Sequence, residues 1–299
     1  MRGTLYILQA KPPAVLQLDL ETSTLRKIRD VDGLPDGIQA DGETGTLFWT
    51  NMGNWPESGD FFGAADGTIE RCSLTGDRHQ TLVGNGWIVT PKQMKLDAQF
   101  GWLYWTDREG MAIWKCRTDG SDLTALLRTG KWPDDSQDVM RHCVGIALDT
   151  DNRLLYWTQK GPPDGGLGRI FRMNLDTPLA EEANDRDDAT LLIDHLPEPI
   201  DLEIDPAGSK LYWTDRGDPR ASGNSVNCAD ITEGGLTNHR VLATGLKEGI
   251  GLTLDFRERR IFVSDLSGAI RTLPMDGGEM TTVFQCEGPA TGIAYLAGI

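Results

Sequence analysis

Residues 94–107 read Met94-Lys95-Leu96-Asp97-Ala98-Gln99-Phe100-Gly101-Trp102-Leu103-Tyr104-Trp105-Thr106-Asp107. A first run with strand character ends at Leu96-Asp97. A second, Leu103-Tyr104-Trp105-Thr106-Asp107, is rich in aromatic and β-branched side chains. A polar turn containing Gly101 separates them. Beyond Asp107 come a turn at Arg108-Glu109-Gly110, a third run from Ala112 to Cys116, a turn at Asp119-Gly120 and a fourth run from Leu123 to Leu127. The pattern predicts a four-stranded antiparallel meander with tight turns.

The unit recurs. Leu47-Phe48-Trp49-Thr50-Asn51, Leu155-Tyr156-Trp157-Thr158, Leu211-Tyr212-Trp213-Thr214-Asp215 and Ile261-Phe262-Val263-Ser264-Asp265 repeat the second run. Asp41, Asp97, Asp149, Asp205 and Asp255 each lie seven residues before Phe48, Tyr104, Tyr156, Tyr212 and Phe262, while the copies are 56, 52, 56 and 50 residues apart. A fixed spacing inside each unit with drift between units means rigid strands joined by variable loops. Four-stranded repeats of this length are the signature of a β-propeller.

The five copies resemble the Tyr-Trp-Thr-Asp (YWTD) propeller repeat of the low-density-lipoprotein receptor class. That resemblance covers nearly the whole chain and implies six blades. Val263-Ser264 replaces Trp-Thr and Gln159 replaces the Asp, so the motif's contacts are in question at those two blades. The sixth blade has to be assembled. Residues 4–28 hold three strand-like runs without a first strand, and Thr291-Gly292-Ile293-Ala294-Tyr295-Leu296 matches the first strand Val144-Gly145-Ile146-Ala147-Leu148-Asp149. The expected architecture is therefore all-β. It is a six-bladed β-propeller of four-stranded antiparallel blades, one blade shared by the N- and C-termini, which removes exposed sheet edges. It forms one domain over residues 1–299, with blades at 4–28 plus 291–296, 37–83, 93–127, 145–193, 201–243 and 251–284.

Composition narrows the partners. A formal charge of −16 and a pI of about 4.6 do not suit nucleic acid, whose phosphates need clustered cations. Five cysteines, an odd number without paired spacing, argue against a disulfide framework and against zinc. Cys72 and Cys116 fall at equivalent third-strand positions and read as buried packing residues. The first residues lack a secretory apolar run, no segment approaches a membrane span, and no Asn-x-Ser/Thr sequon occurs, so a cytoplasmic location is expected. Oligomeric state is left open.

Function on a repeat scaffold concentrates in loops. Three loops that follow second strands are long: 52–67, 160–168 and 216–225. Of nine tryptophans, Trp55, Trp87 and Trp132 lie outside the strand repeat, in loops predicted to emerge on one face, with Phe61 and Phe62 beside Trp55. They read either as the apolar wall of a small-molecule site at the channel mouth or as pins holding each loop to its blade. Polar groups expected there include Asp36, Lys92, Arg141, His142, Lys160, Glu198, Arg216 and Glu248. The cations could equally pair with carboxylates, and His142 could be merely structural. Asp36, Glu198, Asp201 and Glu248 raise a calcium-dependent lactonase as one alternative. Gly165-Gly166-Leu167-Gly168 precedes a strand, so a nucleotide-binding turn is not indicated.

A free-standing propeller of this repeat class resembles, in overall format, the fungal hetero-Diels–Alderases of tropolone–sesquiterpenoid pathways. The resemblance implies a cofactor-free enzyme of secondary metabolism joining a quinone methide to a terpene alkene, with a small apolar polyketide–terpenoid substrate as its partner. Trp55, Phe61, Phe62, Trp87, Trp132 and Glu248 would then bind substrate. Lys92, Arg141, His142 and Lys160 would be the candidate donors to the quinone carbonyl. The receptor resemblance supplies another alternative, a non-enzymatic protein-binding propeller.

Overall fold

The computed structural model describes residues 1–59, 61–177 and 186–298. Six four-stranded antiparallel sheets make up the molecule. Their first strands are Pro35–Asp41, Pro91–Asp97, Cys143–Asp149, Pro199–Asp205, Gly249–Asp255 and Ala290–Leu296, which neighbour one another in a ring around the central channel. We number the blades 1 to 6 in that order. In blade 6 the C-terminal strand Ala290–Leu296 pairs antiparallel with the N-terminal strand Thr4–Ala10, so the two ends of the chain share a sheet.

The repeat's spacing has a local cause. In blades 1 to 5 the Asp that ends the first strand accepts the backbone N–H of a residue two or three further on. Asp41 takes Glu43, Asp149 takes Asn152, Asp205 takes Gly208 and Asp255 takes Arg257, at 2.9–3.1 Å. These Asx turns fix the hairpin length and with it the register of the aromatic pair.

That pair makes the seams between blades. The Trp of one blade packs against the Tyr or Phe of the blade before it: Trp105 with Phe48, Trp157 with Tyr104, Trp213 with Tyr156, and Trp49 with Tyr6. Val263 and Ile7 take the Trp place against Tyr212 and Phe262. The aromatic positions are almost fully buried, so truncating one to Ala should cost about 3–5 kcal/mol. All five cysteines are free and buried in these layers.

The Thr of the repeat then links blades through its hydroxyl. Thr50 donates to the Lys92 carbonyl at 2.6 Å, Thr106 to Val144 at 2.5 Å, Thr158 to Ile200 at 3.0 Å and Thr214 to Ile250 at 2.9 Å. Ser264 makes the same bond to the Thr291 carbonyl, so the Val-Ser variant of the motif loses the indole but keeps the link. Blade 6 has Leu8 at the corresponding place. There Thr291, on the first strand instead of the second, donates to the Pro35 carbonyl at 2.8 Å and completes the circle. Close inter-strand approach requires glycine. A Cβ on Gly145 would stand 1.9 Å from the Ile200 carbonyl, and one on Gly292 would stand 2.3 Å from that of Asp36.

Candidate functional site

The last residue of the second strand controls the upper loops. Asp107 accepts the N–H groups of Val89 at 3.0 Å and Thr90 at 2.6 Å, and Asp215 accepts those of Glu198 at 2.7 Å and Gly217 at 3.2 Å. Each carboxyl thus ties the connection into its blade to the loop leaving its second strand. Burial pushes Asp107 up to about 6 and Asp215 up to about 7. These bonds hold the side chains that surround the channel mouth in place.

At the second position of the six first strands stand Asp36, Lys92, Val144, Ile200, Ile250 and Thr291. Val144, Ile200 and Ile250 pack together with Leu266, giving the ring an apolar arc. Asp36 and Lys92 form the polar arc, with the Lys92 ammonium 2.6 Å from Asp36 and 3.3 Å from the Met52 sulfur. Gln93 supplies a second donor to Asp36 at 3.1 Å.

A second ion-pair group joins from blades 3 to 5. Glu198 accepts Lys160 at 2.9 Å and Arg216 at 2.7 Å, and Arg216 lies 3.6 Å from Glu248. Arg108, paired with Glu109 at 2.5 Å, is close enough for its charge to act on the lysine of each group. Burial depresses the pKa of both Lys92 and Lys160, and the Arg108 charge lowers each further. The same two effects lower His142, whose Nε2 lies 2.8 Å from the Ser136 carbonyl. A carbonyl can only accept, so Nε2 carries the proton. Burial works against the charge of Glu109, but Arg108 and His142 hold its pKa below the usual carboxylate range.

The loop 52–67 lies against this network. Phe62 is buried in a small cluster with Ala10, Leu34 and Met52, its ring 5.8 Å from the Arg108 guanidinium and its carbonyl accepting the Thr90 hydroxyl at 2.6 Å. Trp55 stands 6.2 Å from Phe62, centroid to centroid, and is exposed, as is Phe61.

The structure therefore brings Lys92, His142, Lys160 and Phe62 to the mouth, with Trp55 and Glu248 at its rim. Trp87 and Trp132 line a different cavity of about 320 Å³, shared with Trp114, Arg128, Lys131 and Asp107. Arg141 is half exposed and engaged by Asp138 at 2.9 Å and by the Thr129 carbonyl at 2.6 Å. Arg108 and Glu109 had read from the sequence only as a short turn. The signal that points to them is their place directly after the repeat's Asp, at the end of the second strand where the long loops also begin.

The carboxylates do not suit a calcium ion. Asp36 and Glu198 are each neutralised by buried cations. Asp201 accepts the Leu202 and Leu252 N–H groups at 2.8 and 2.9 Å and lies 3.8 Å from Lys95. Among the described residues no three potential ligands come together as a metal-holding group. Nor, among them, is any helix long and apolar enough to cross a membrane.

Six blades, the aromatic seams and the hydroxyl links define a YWTD-repeat propeller. The chain belongs to the family of a Pyricularia oryzae protein named low-density lipoprotein receptor-related protein 1. The two are 43% identical over 286 residues, covering 92% of this chain and 89% of that protein. A Cochliobolus heterostrophus protein named 3-hydroxyacyl-CoA dehydrogenase-like protein LAM1 is 36% identical over 296 residues. The match covers 95% of this chain but only 61% of that relative's length. No protein-family profile matches the chain. Among solved structures, a chain of the nidogen/laminin complex superposes with a TM-score of 0.74 at 21% identity, covering 98% of both chains. A Xanthomonas campestris gluconolactonase superposes at 0.64 and 15%, covering 98% of this chain and 92% of that one. These two likenesses concern the fold alone.

Proposed function

We propose that the channel mouth is a small-molecule site and that the chain is a cofactor-independent enzyme of the pericyclase type, a hetero-Diels–Alderase joining a quinone methide to a terpene alkene. The observation that carries this reading is the composition of the mouth. Desolvated cations, Lys92 and Lys160 with Arg108 between them, adjoin an apolar arc of Val144, Ile200 and Ile250 and the loop aromatic Phe62. Such a surface suits a ligand with one polar carbonyl and a large hydrocarbon body. A cycloaddition needs no proton transfer or metal. It needs two partners held in one orientation, which supplies up to ~7–11 kcal/mol of barrier reduction. It also gains from donors aimed at the oxygen where negative charge develops. Lys92 and Lys160 are the donors best placed for that task, with their carboxylates holding them in position. His142 supports the wall.

The test is to incubate the protein with an ortho-quinone methide, released in situ from a benzylic precursor, and an excess of a cyclic sesquiterpene alkene. One stereoisomer should form faster than in buffer, and Lys160→Met should lower the rate at least tenfold. A stereorandom product formed at the buffer rate sinks the proposal.

A second reading, a protein-binding propeller, is favoured by the exposure of Trp55 and Trp87, 55% and 67%. Exposed indoles are frequent anchors of protein interfaces. The names of the lipoprotein receptor-related relative and of the nidogen/laminin complex point the same way. A partner retained by the wild type and lost with Trp55→Ala, in a protein inert toward the quinone methide, would decide for it. The dehydrogenase-like name of the Cochliobolus relative finds no matching element among the described residues. The glycines at 165–168 lead into the strand Gly168–Asn174, not into a helix whose N-terminus could hold a pyrophosphate.

A further inference from the structure

We propose that the cleft between Trp87 and Trp132 is a second binding site, built for a planar aromatic anion such as an aryl carboxylate or phenolate. It does not rest on the reading of the channel mouth, with which it shares no lining residue.

The cleft lies at the upper edge of blade 2. Its volume of about 320 Å³ accommodates a two-ring system and falls within the range of small-ligand pockets. Trp87 and Trp132 reach it from the connections into blades 2 and 3, and both indoles are exposed, Trp87 more than any other large apolar side chain described. Trp114, by contrast, is buried and belongs to the seam with blade 1. The cleft thus has a fixed aromatic base and two wet aromatic side walls. Flat apolar faces left in water are where a flat ligand gains most.

Charge selects the ligand. Arg128 is half-buried, and its guanidinium sits 4.9 Å from the centroid of Trp114. Among the described residues its side chain makes no hydrogen bond and no ion pair. That is unexpected in a chain with 45 carboxylates against 29 Lys and Arg. Stacking on the indole leaves the N–H edge of a guanidinium available, and that edge matches the two oxygens of a carboxylate. Lys131, at the rim, is already balanced by Asp134 at 3.4 Å, which leaves Arg128 as the cation that selects the ligand. The carboxylate in the lining, Asp107, has its oxygens turned to the N–H groups of Val89, Thr90 and Gly110, and burial weakens its charge. The cleft therefore offers aromatic faces and a free cation to an incoming anion.

Isothermal titration calorimetry on the full chain tests this with 2-naphthoate, its neutral counterpart 2-naphthylmethanol, and cyclohexanecarboxylate, which has the charge without the aromatic plane. The wild type should bind 2-naphthoate about tenfold or more tightly than either analogue, as expected for a charge-assisted bond added to stacking. Arg128→Gln should lose that advantage while keeping its weak affinity for the alcohol. Trp132→Ala should weaken both naphthyl ligands. Lys160→Met, at the channel mouth, should leave naphthoate affinity within twofold. Circular dichroism melts establish that each variant is folded. The proposal is overturned if the wild type does not bind naphthoate, if acid and alcohol bind equally, or if Arg128→Gln binds naphthoate as the wild type does. It is also overturned if Lys160→Met loses as much affinity as Arg128→Gln, which would place the anion at the mouth.

Discussion

The channel mouth and the Trp87–Trp132 cleft use the same residue types to opposite ends. At the mouth, Lys92 and Lys160 are buried and held by Asp36 and Glu198 on neighbouring blades. At the cleft, Arg128 is half-buried and rests on an indole, and among the described residues its guanidinium forms no ion pair. The mouth's charges are balanced in place, so a ligand there meets oriented donors and little net charge. The cleft's charge is unbalanced, so a ligand there supplies the counter-ion. Burial with a partner fixes direction, and partial exposure without one gives attraction.

The largest expected effect separates the two at the level of folding. Glu198→Ala leaves the Lys160 ammonium buried without its partner and should cost about 3–5 kcal/mol, read as a lowered denaturant midpoint. Coupling it with Lys160→Met should recover much of that loss, with Arg216 keeping Glu248. If the double variant is as unstable as the single one, the mouth's ion pairs are structural in a way that desolvation does not explain.

A second test uses pH. Asp215 holds the backbone at Glu198, and its other oxygen, Oδ2, is buried without a partner. Its folded pKa, raised to about 7, lies above the unfolded value of ~3.9, so the folded state binds more protons between the two. Stability from this group is therefore greatest below about pH 4 and declines as pH rises through about 7. Asp215→Asn should flatten thermal stability between about pH 4 and 7 by about one proton's worth of slope. An unchanged slope would locate the titration elsewhere, Asp201 being the other carboxyl pushed to about 7.

At the cleft the same kinds of change should hardly be felt by the fold. Arg128→Gln removes a cation–π contact at a half-exposed site and should cost no more than about 0.5–1 kcal/mol. Trp132→Ala should stay within about 0.5 kcal/mol of the wild type. A melting temperature that drops steeply for Trp132→Ala would make this indole a pin for its own loop and erase the contrast with Trp114.

The fold was legible because its causes are local and repeated. Asp97 fixes one hairpin, Asp149 and Asp205 fix others in the same way, and the aromatic pair follows at constant distance. The blade shared by the termini was also legible, through the likeness of residues 291–296 to 144–149. The site was legible only in its ingredients. Lys92 meets Asp36 across 56 residues, the repeat spacing itself, but Lys160 meets Glu198 across 38, and no spacing rule selects that partner from 45 carboxylates. The same holds for the tryptophans. Trp55 lies beside Phe62 near the mouth while Trp87 and Trp132 line the cleft, because each loop's direction is set by tertiary bonds such as Thr90 to Phe62. Arg108 and Glu109 were not legible because a two-residue charged turn has the same sequence as ordinary solvated surface.

The bond from Thr291 to the Pro35 carbonyl joins residues 256 apart, and the strand that carries it pairs with Thr4–Ala10. Five of the six seams join blades that follow one another along the chain and can form as each emerges during synthesis. The last seam cannot. Blade 6 keeps an open edge, and blades 1 and 5 keep uncovered flanks, until the ribosome has released residues 290–296. Because domains gain their structure progressively from the N-terminus, the propeller stays an unclosed arc until that strand has emerged. A circular permutant cut between blades 4 and 5, with the natural ends joined, would make that distant pairing an ordinary hairpin neighbour and move the waiting step to a seam that already carries the Thr214 link.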